Sequence, residues 1–236
     1  MPTLDLHYFP LAPPFLLILA LAIVAVFIFM QIHLLRYAYE RMGIPLKYFY
    51  LLLIASLIGS YINIPVASLP AEQMASDQVV SYFGIQYVIP KIVDRPGTVI
   101  AINVGGALIP LLVSLYLTVK NRIYLPALLG IAVVALVCHR LAEPVRGMGI
   151  ALPVFVPTLI TAFTALLISR KYAAPIAYIA GSMGTLIGAD LLNLHLIRGL
   201  GTPVASIGGA GTFDGIFLTS ILAVVLAGWL TERGVK

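Results

Sequence analysis

Charge is what this chain has least of. Only 10% of its 236 residues are Asp, Glu, Lys or Arg, while 61% are hydrophobic and the mean hydropathy is +1.06. A water-soluble domain carries roughly a quarter of its residues charged, so lipid is the main solvent expected here. Cysteine is nearly absent as well. Cys138 stands alone, which excludes an internal disulfide and any cysteine-based metal cluster and leaves the redox compartment unread. No basic run is interleaved with aromatics, so the net charge of +5 and the pI of about 9.4 are read as loop charges that set orientation in a membrane, with no nucleic-acid partner. The opening Met1-Pro2-Thr3-Leu4-Asp5 has no basic n-region, so the first apolar stretch is expected to be a retained span and not a cleaved signal peptide. No repeat of 20 to 50 residues is visible, and no His-Glu-x-x-His zinc site, phosphate loop or rhomboid-like Gly-x-Ser-x context is present.

What is there is a succession of apolar runs long enough to cross a bilayer as helices, about 17 to 25 residues each. They fall at about 11–32, 48–69, 98–118, 123–139, 150–169, 173–197 and 205–230. The expectation is an all-α polytopic bundle of about seven transmembrane helices, a single integral membrane domain over residues 1–236, in the cell membrane. With the N-terminus outside, the inner loops collect Arg36, Arg41, Lys47, Lys120, Arg122, Arg170, Lys171, Arg233 and Lys236, nine basic residues; the outer side holds Lys91, Arg95, Arg140, Arg146 and Arg198, five. The positive-inside rule therefore favours N-out and C-in. Residues 70–97 form an outer loop whose Val80–Tyr87 stretch alternates like a short strand or an interfacial lid.

Two acids lie where the hydrocarbon should be. A carboxylate there costs about 2.5 to 3.5 kcal/mol on insertion scales, so it persists where it faces protein or water and acts. Asp190 sits in the sixth apolar run and Asp214 in the seventh, neither with a lysine or arginine within a turn or two. Asp190 precedes Ile197 by seven residues and Asp214 follows Ala205 by nine, which on regular helices puts them roughly 10 and 13 Å from one membrane face. A short connection makes helices six and seven antiparallel neighbours. Two close carboxyls share a proton, one acting as acid and the other as base, with no metal and no organic cofactor. Glycines 181, 184 and 188, and 208, 211 and 215, repeat one spacing and predict a smooth ridge on each helix. On a regular helix Asp190 points away from its own ridge. Either that ridge packs elsewhere, on Gly105-Gly106 for example, or the helix is irregular near Gly188.

At these residues the chain resembles the GxGD-type intramembrane aspartyl proteases: presenilin, signal peptide peptidase and, more distantly, the prepilin peptidases. That superfamily places one aspartate in helix six, usually after tyrosine, and the second in helix seven within Gly-x-Gly-Asp. Here Ala189-Asp190 stands in the first place and Gly211-Thr212-Phe213-Asp214-Gly215 in the second. Gly211 matches the first glycine of the motif, Phe213 replaces the second, and Ala189 replaces the tyrosine. No Pro-Ala-Leu follows Asp214, although Pro126-Ala127-Leu128 occurs earlier. The resemblance covers about residues 173–230. It implies a presenilin-like hairpin of the last two helices, with Asp190 and Asp214 catalytic and transmembrane-helix peptides as substrates. The whole chain, especially 184–192 and 208–219, also looks like an uncharacterised prokaryotic family of multi-pass membrane proteins carrying only a domain-of-unknown-function label, which implies no activity.

The expectation is thus an intramembrane aspartyl protease with Asp190 and Asp214 catalytic, supported by Gly188, Gly211, Thr212, Phe213, Gly215, Asn193 and His195. A proton- or cation-coupled transporter or channel using the same acids, and a scaffold in which protonated carboxyls only hydrogen-bond, stay open. Asn193 and His195 are read as interfacial caps or relay groups. Asn63 and Asn103, each inside an expected span, are read as helix bridges able to reach the dyad. His139, Arg140 and Glu143 form a solvated outer cluster, with metal binding as the sharper alternative. Pro153 and Pro157 are read as interrupting helix five. Oligomeric state and substrate are open.

Overall fold

A computed structural model describes residues 13–70, 72–82, 85–95, 97–145, 147, 149–153, 155–197, 200–209 and 215–233. The chain is mostly helical, with seven α-helices. The first, α1 (Pro13–Arg41), is a continuous apolar helix, about 43 Å at 1.5 Å per residue. It ends at Gly43, whose φ of +74° takes up the left-handed conformation glycine tolerates at a helix C-terminus. Pro45 then sets the entry to α2 (Leu46–Gly59). Beyond lie α3 (Ile109–Asn121), α4 (Tyr124–Leu141), α5 (Phe155–Ile168), α6 (Ala173–Thr185) and α7 (Gly215–Arg233).

At the core is α6, every residue of which is buried. It packs against α7, α4, α5 and α3, and with the near ends of α1 and α2 it forms the largest apolar cluster, including Tyr39, Phe49, Leu117, Ile176 and Val224. The surrounding helices turn large apolar side chains outward, among them Leu112, Leu128, Leu159 and Phe163. An interior helix of small residues inside a shell of outward leucines is the pattern lipid permits and water does not. Three helical stretches are long and apolar enough to cross a membrane, Leu16–Arg41, Val104–Asn121 and Tyr124–Leu141; Lys47–Gly59, Phe155–Ile168 and Ile216–Thr231 are shorter apolar helices.

The all-α expectation omits the strands. β1 (Asn63–Leu69) pairs antiparallel with β4 (Thr98–Asn103), and β4 pairs parallel with β7 (Val204–Ile207) in the order β1-β4-β7. Each strand occupies part of a stretch expected to be helical, because runs such as Thr-Val-Ile-Ala-Ile satisfy hydropathy equally as membrane helix or buried strand. Between them, β2 (Glu72–Tyr82) and β3 (Ile85–Arg95) make an antiparallel ribbon from the expected outer loop, and the anticipated strand at Val80–Tyr87 forms its far end, apart from residues 83–84, which lie outside the described residues. A small hairpin, β5 (Glu143–Val145) with β6 (Gly149–Ala151), follows α4. Pro153 precedes α5 and Pro157 lies in its first turn, where the missing N–H has no intrahelical partner to lose; these prolines begin the helix and do not interrupt it.

Candidate functional site

The site is assembled where α6 stops being regular. From Leu186 to Leu191 the chain widens into a π-helical segment, an irregularity near Gly188 that was one of the two alternatives the position of Asp190 left open. The glycine ridge packs in two directions. Gly181 lies against Ser220 of α7, where an added Cβ would be 2.8 Å from the Ser220 Cα; Gly184 faces Val134 of α4 at 2.7 Å; and Gly188 faces the Ala135 backbone, whose carbonyl oxygen a methyl would strike. The ridge therefore lies on α4 and α7, and Gly105-Gly106 serves elsewhere. The opposite side, Met183 and Leu186, clusters with Ala107, Ile207 and Ile216. Contacts that run from Gly181–Ser220 to Leu186–Ile216 make α6 and α7 antiparallel.

Widening frees backbone carbonyls, and Asn193 takes them up: its Nδ2 donates to the carbonyl oxygens of Gly188 (2.8 Å) and Ala189 (3.0 Å), with the side chain buried. Asp190 is half-buried, and its Oδ2 accepts the backbone N–H of Gly208 at 2.7 Å. Gly208 terminates β7 in a turn with φ +94°, a conformation for which glycine is the suited residue. That turn rests on the second π-helical segment, Val104–Leu108, which links β4 to α3: a methyl on Gly106 would strike the Gly208 carbonyl oxygen, and one on Gly208 would lie 2.6 Å from Ala107 N.

A polar network fixes these parts from the sheet side. Asn103, almost wholly buried, accepts the Gly106 N–H on Oδ1 (2.7 Å) and donates from Nδ2 to the Ser60 carbonyl (2.8 Å) and to Asn63 Oδ1 (3.1 Å). The Ser206 hydroxyl stands 2.6 Å from Asn63 Oδ1 and 3.0 Å from the Gly209 carbonyl oxygen, and its one proton serves one acceptor at a time. Asn63 and Asn103 are thus partners across β1 and β4, at matched register positions, and not bridges between membrane helices.

Of the residues expected from sequence, Asp190, Gly188 and Asn193 come together here. His195 is exposed on a short 3-10 turn, Leu194–Ile197. Gly215 opens α7, and Gly211, Thr212, Phe213 and Asp214 lie outside the described residues. Their described neighbours Gly209 and Ile216 both border the site, through Ser206 and through Met183 with Leu186. The expected ridge at 208, 211 and 215 presumed a helix from about residue 205. β7 and the Gly208 turn occupy its beginning, which also removes the rise-based depth of Asp214. Among the described residues no group of three or more His, Cys, Asp or Glu could hold a metal ion.

Sequence reading missed Ser206 as a site residue, and it gave Asn103 and Gly208 other roles, a helix bridge and a ridge glycine. The available signal was a recurrence, Asn103-Val104-Gly105-Gly106-Ala107 and Ser206-Ile207-Gly208-Gly209-Ala210. In comparisons with known proteins, a family model described as a protein of unknown function, DUF1614, matches residues 57–226. No curated protein and no solved structure matches.

Proposed function

The chain belongs to that family of unknown function, and we propose that it is an intramembrane aspartyl protease in which Asp190 and Asp214 form the catalytic dyad. The observation that carries this reading is the Asp190 Oδ2 bond to Gly208 N–H. It holds an acid at the mouth of the glycine-rich segment that reaches Asp214 six residues later. In this reading one carboxyl is protonated and the other ionised. The ionised one removes a proton from water as the oxygen attacks the peptide carbonyl, the protonated one stabilises the tetrahedral oxyanion, and the amine leaves with a proton as the C–N bond breaks. The chain needs no metal or organic cofactor for these steps. Scission needs an extended substrate, and β7 is an edge strand among the described residues. A peptide added along β7 would run toward Gly208 and Asp190.

The same reading includes seven crossings with the N-terminus outside, supported by seven helices that overlap the seven apolar runs and by the nine-to-five distribution of basic residues. It places the chain in the cell membrane as a multi-pass protein, with lipid and transmembrane-helix peptides as its partners and GxGD-type proteases as distant relatives. Proton- or cation-coupled transport through the same acids is the second reading, favoured by the hydroxyls buried beside α6.

The test is cleavage of a panel of transmembrane-helix peptides by the purified protein in lipid, beside Asp190→Asn and Asp214→Asn variants of equal fold. Loss of cleavage in either variant is expected. No cleavage by the wild type across the panel at neutral and mildly acidic pH, with substrate-dependent proton flux in liposomes, would move the assignment to transport.

A further inference from the structure

Hydroxyls inside membrane helices ordinarily donate to the carbonyl one turn back, and several here do: Thr118 to Ser114, Ser182 to Tyr178 and Thr231 to Ala227, at 2.6 to 2.7 Å. Thr161 of α5 and Thr219 of α7 do not. Both are fully buried, at 0% exposure, and neither Oγ1 has a hydrogen-bond partner among the described residues. Two unpaired hydroxyls in a close-packed interior are costly, and polar interiors that keep such groups do so by holding water.

Further hydroxyls line α6 along its length. Ser220, next to Thr219, lies against Gly181. Ser182 follows, and since its own proton goes to Tyr178, the hydroxyl of Ser114 donates to it at 3.0 Å. One turn on, Thr185 meets Cys138 at 3.6 Å. The π-helical segment with Asp190 begins at the next residue.

We infer that the interior flanking α6 is a water site: ordered water is bound by the hydroxyls of Thr161 and Thr219, in a polar seam with Ser182 and Thr185 that leads toward Asp190. Occupancy of the seam stands on the two threonines alone. Its use as a supply of water or protons to the acid rests on the function proposed above.

Water-edited solid-state NMR of the wild-type protein in bilayers, with threonine and leucine methyls labelled, reads this directly. Thr161→Val and Thr219→Val assign the signals, and lipid-facing Leu159, 61% exposed, serves as the dry reference. Magnetisation is expected to reach the Thr161 and Thr219 methyls several-fold faster than Leu159, and the two valine variants are expected to lower the thermal midpoint by removing a ligand of bound water. Transfer no faster than to Leu159, or a midpoint raised by valine, would overturn the water site. Fast transfer in a protein that cleaves nothing would remove the protease reading and leave the water site standing; slow transfer in a protein that cleaves would do the reverse.

Discussion

Gly208→Ala tests whether the turn after β7 holds the acid in place. The added methyl would lie 2.6 Å from Ala107 N, 2.7 Å from Ala107 Cβ and 2.8 Å from Gly106 C. Two of these are backbone atoms of a buried π-helical segment and cannot swing aside. The φ of +94° adds strain of about 1–2 kcal/mol for any L-residue. The chain then has two escapes. It can keep its place and bear overpacking of about 1–3 kcal/mol, or move away and lose the bond to the Asp190 carboxyl, about 1.5–3 kcal/mol when the acceptor is charged. Either way the total is about 2–5 kcal/mol. Gly201→Ala is the matched control, since Gly201 has φ +74° but nothing within 4 Å of its added Cβ, so it bears the strain alone, about 1–2 kcal/mol. Reversible unfolding of the three proteins in mixed micelles, followed by near-UV circular dichroism, gives the difference. Equal destabilisation by the two alanines would show that the Gly208 turn is not seated against Gly106 and Ala107, and the site geometry would fall with it.

Other positions give sharper or milder outcomes. Gly188→Ala drives a methyl into the Ala135 carbonyl oxygen and is expected to abolish the folded, monodisperse peak in size-exclusion chromatography by forcing α6 off α4. Asn193→Ala leaves the Gly188 and Ala189 carbonyls without their amide, and the unfolding free energy is expected to drop by about 1–3 kcal/mol. Replacing 72–95 with a short turn removes a ribbon whose strands, among the described residues, pair only with each other; since an isolated hairpin is marginal in itself, the thermal midpoint is expected to stay within a few degrees.

The helices were legible because apolar length is a strong signal, and Asp190 was legible because a carboxyl in such a run is costly. The strands were not. Thr98–Asn103 and Val204–Ile207 are rich in β-branched residues, but they sit inside longer apolar stretches, so hydropathy absorbed them into the third and seventh expected spans. What separates them from helix is the Gly-Gly close behind each, of which Gly208 is expected from sequence in a packing ridge and Gly105-Gly106 as a surface for one. The partner of Asp190 was illegible for a related reason. Gly208 reaches it through a turn at positive φ, and the arithmetic of helical faces carries no information about a turn. Asn63 and Asn103, 40 residues apart, meet only because β1 and β4 pair in a particular register.

The strand–Gly-Gly–helix recurrence bears on why Asp190 is an acid. β4 and β7 run parallel, with Ile102 opposite Ile207. Each passes into Gly-Gly-Ala, and Asn103 and Ser206 occupy the same place before it and meet at Asn63. About a hundred residues separate the two copies, beyond the window in which repeats are sought. In the first unit the free N–H of Gly106 is accepted by the amide oxygen of Asn103. In the second, the counterpart of Gly106 is Gly209, whose N–H goes to the Ser206 carbonyl oxygen, and it is the N–H of the preceding Gly208 that is accepted by a carboxyl from α6. One N–H needs one acceptor, and the first unit shows that an uncharged amide suffices. A carboxyl accepting a comparable glycine N–H costs more to place within a membrane, by about 2.5–3.5 kcal/mol for a charged acid at its centre, and offers one thing the amide does not, a proton it can give and take. Asp190→Asn should therefore keep the Gly208 bond and the fold while losing proton exchange, so an unfolded Asp190→Asn protein would mean that the charge itself, and not the acceptor, holds the turn.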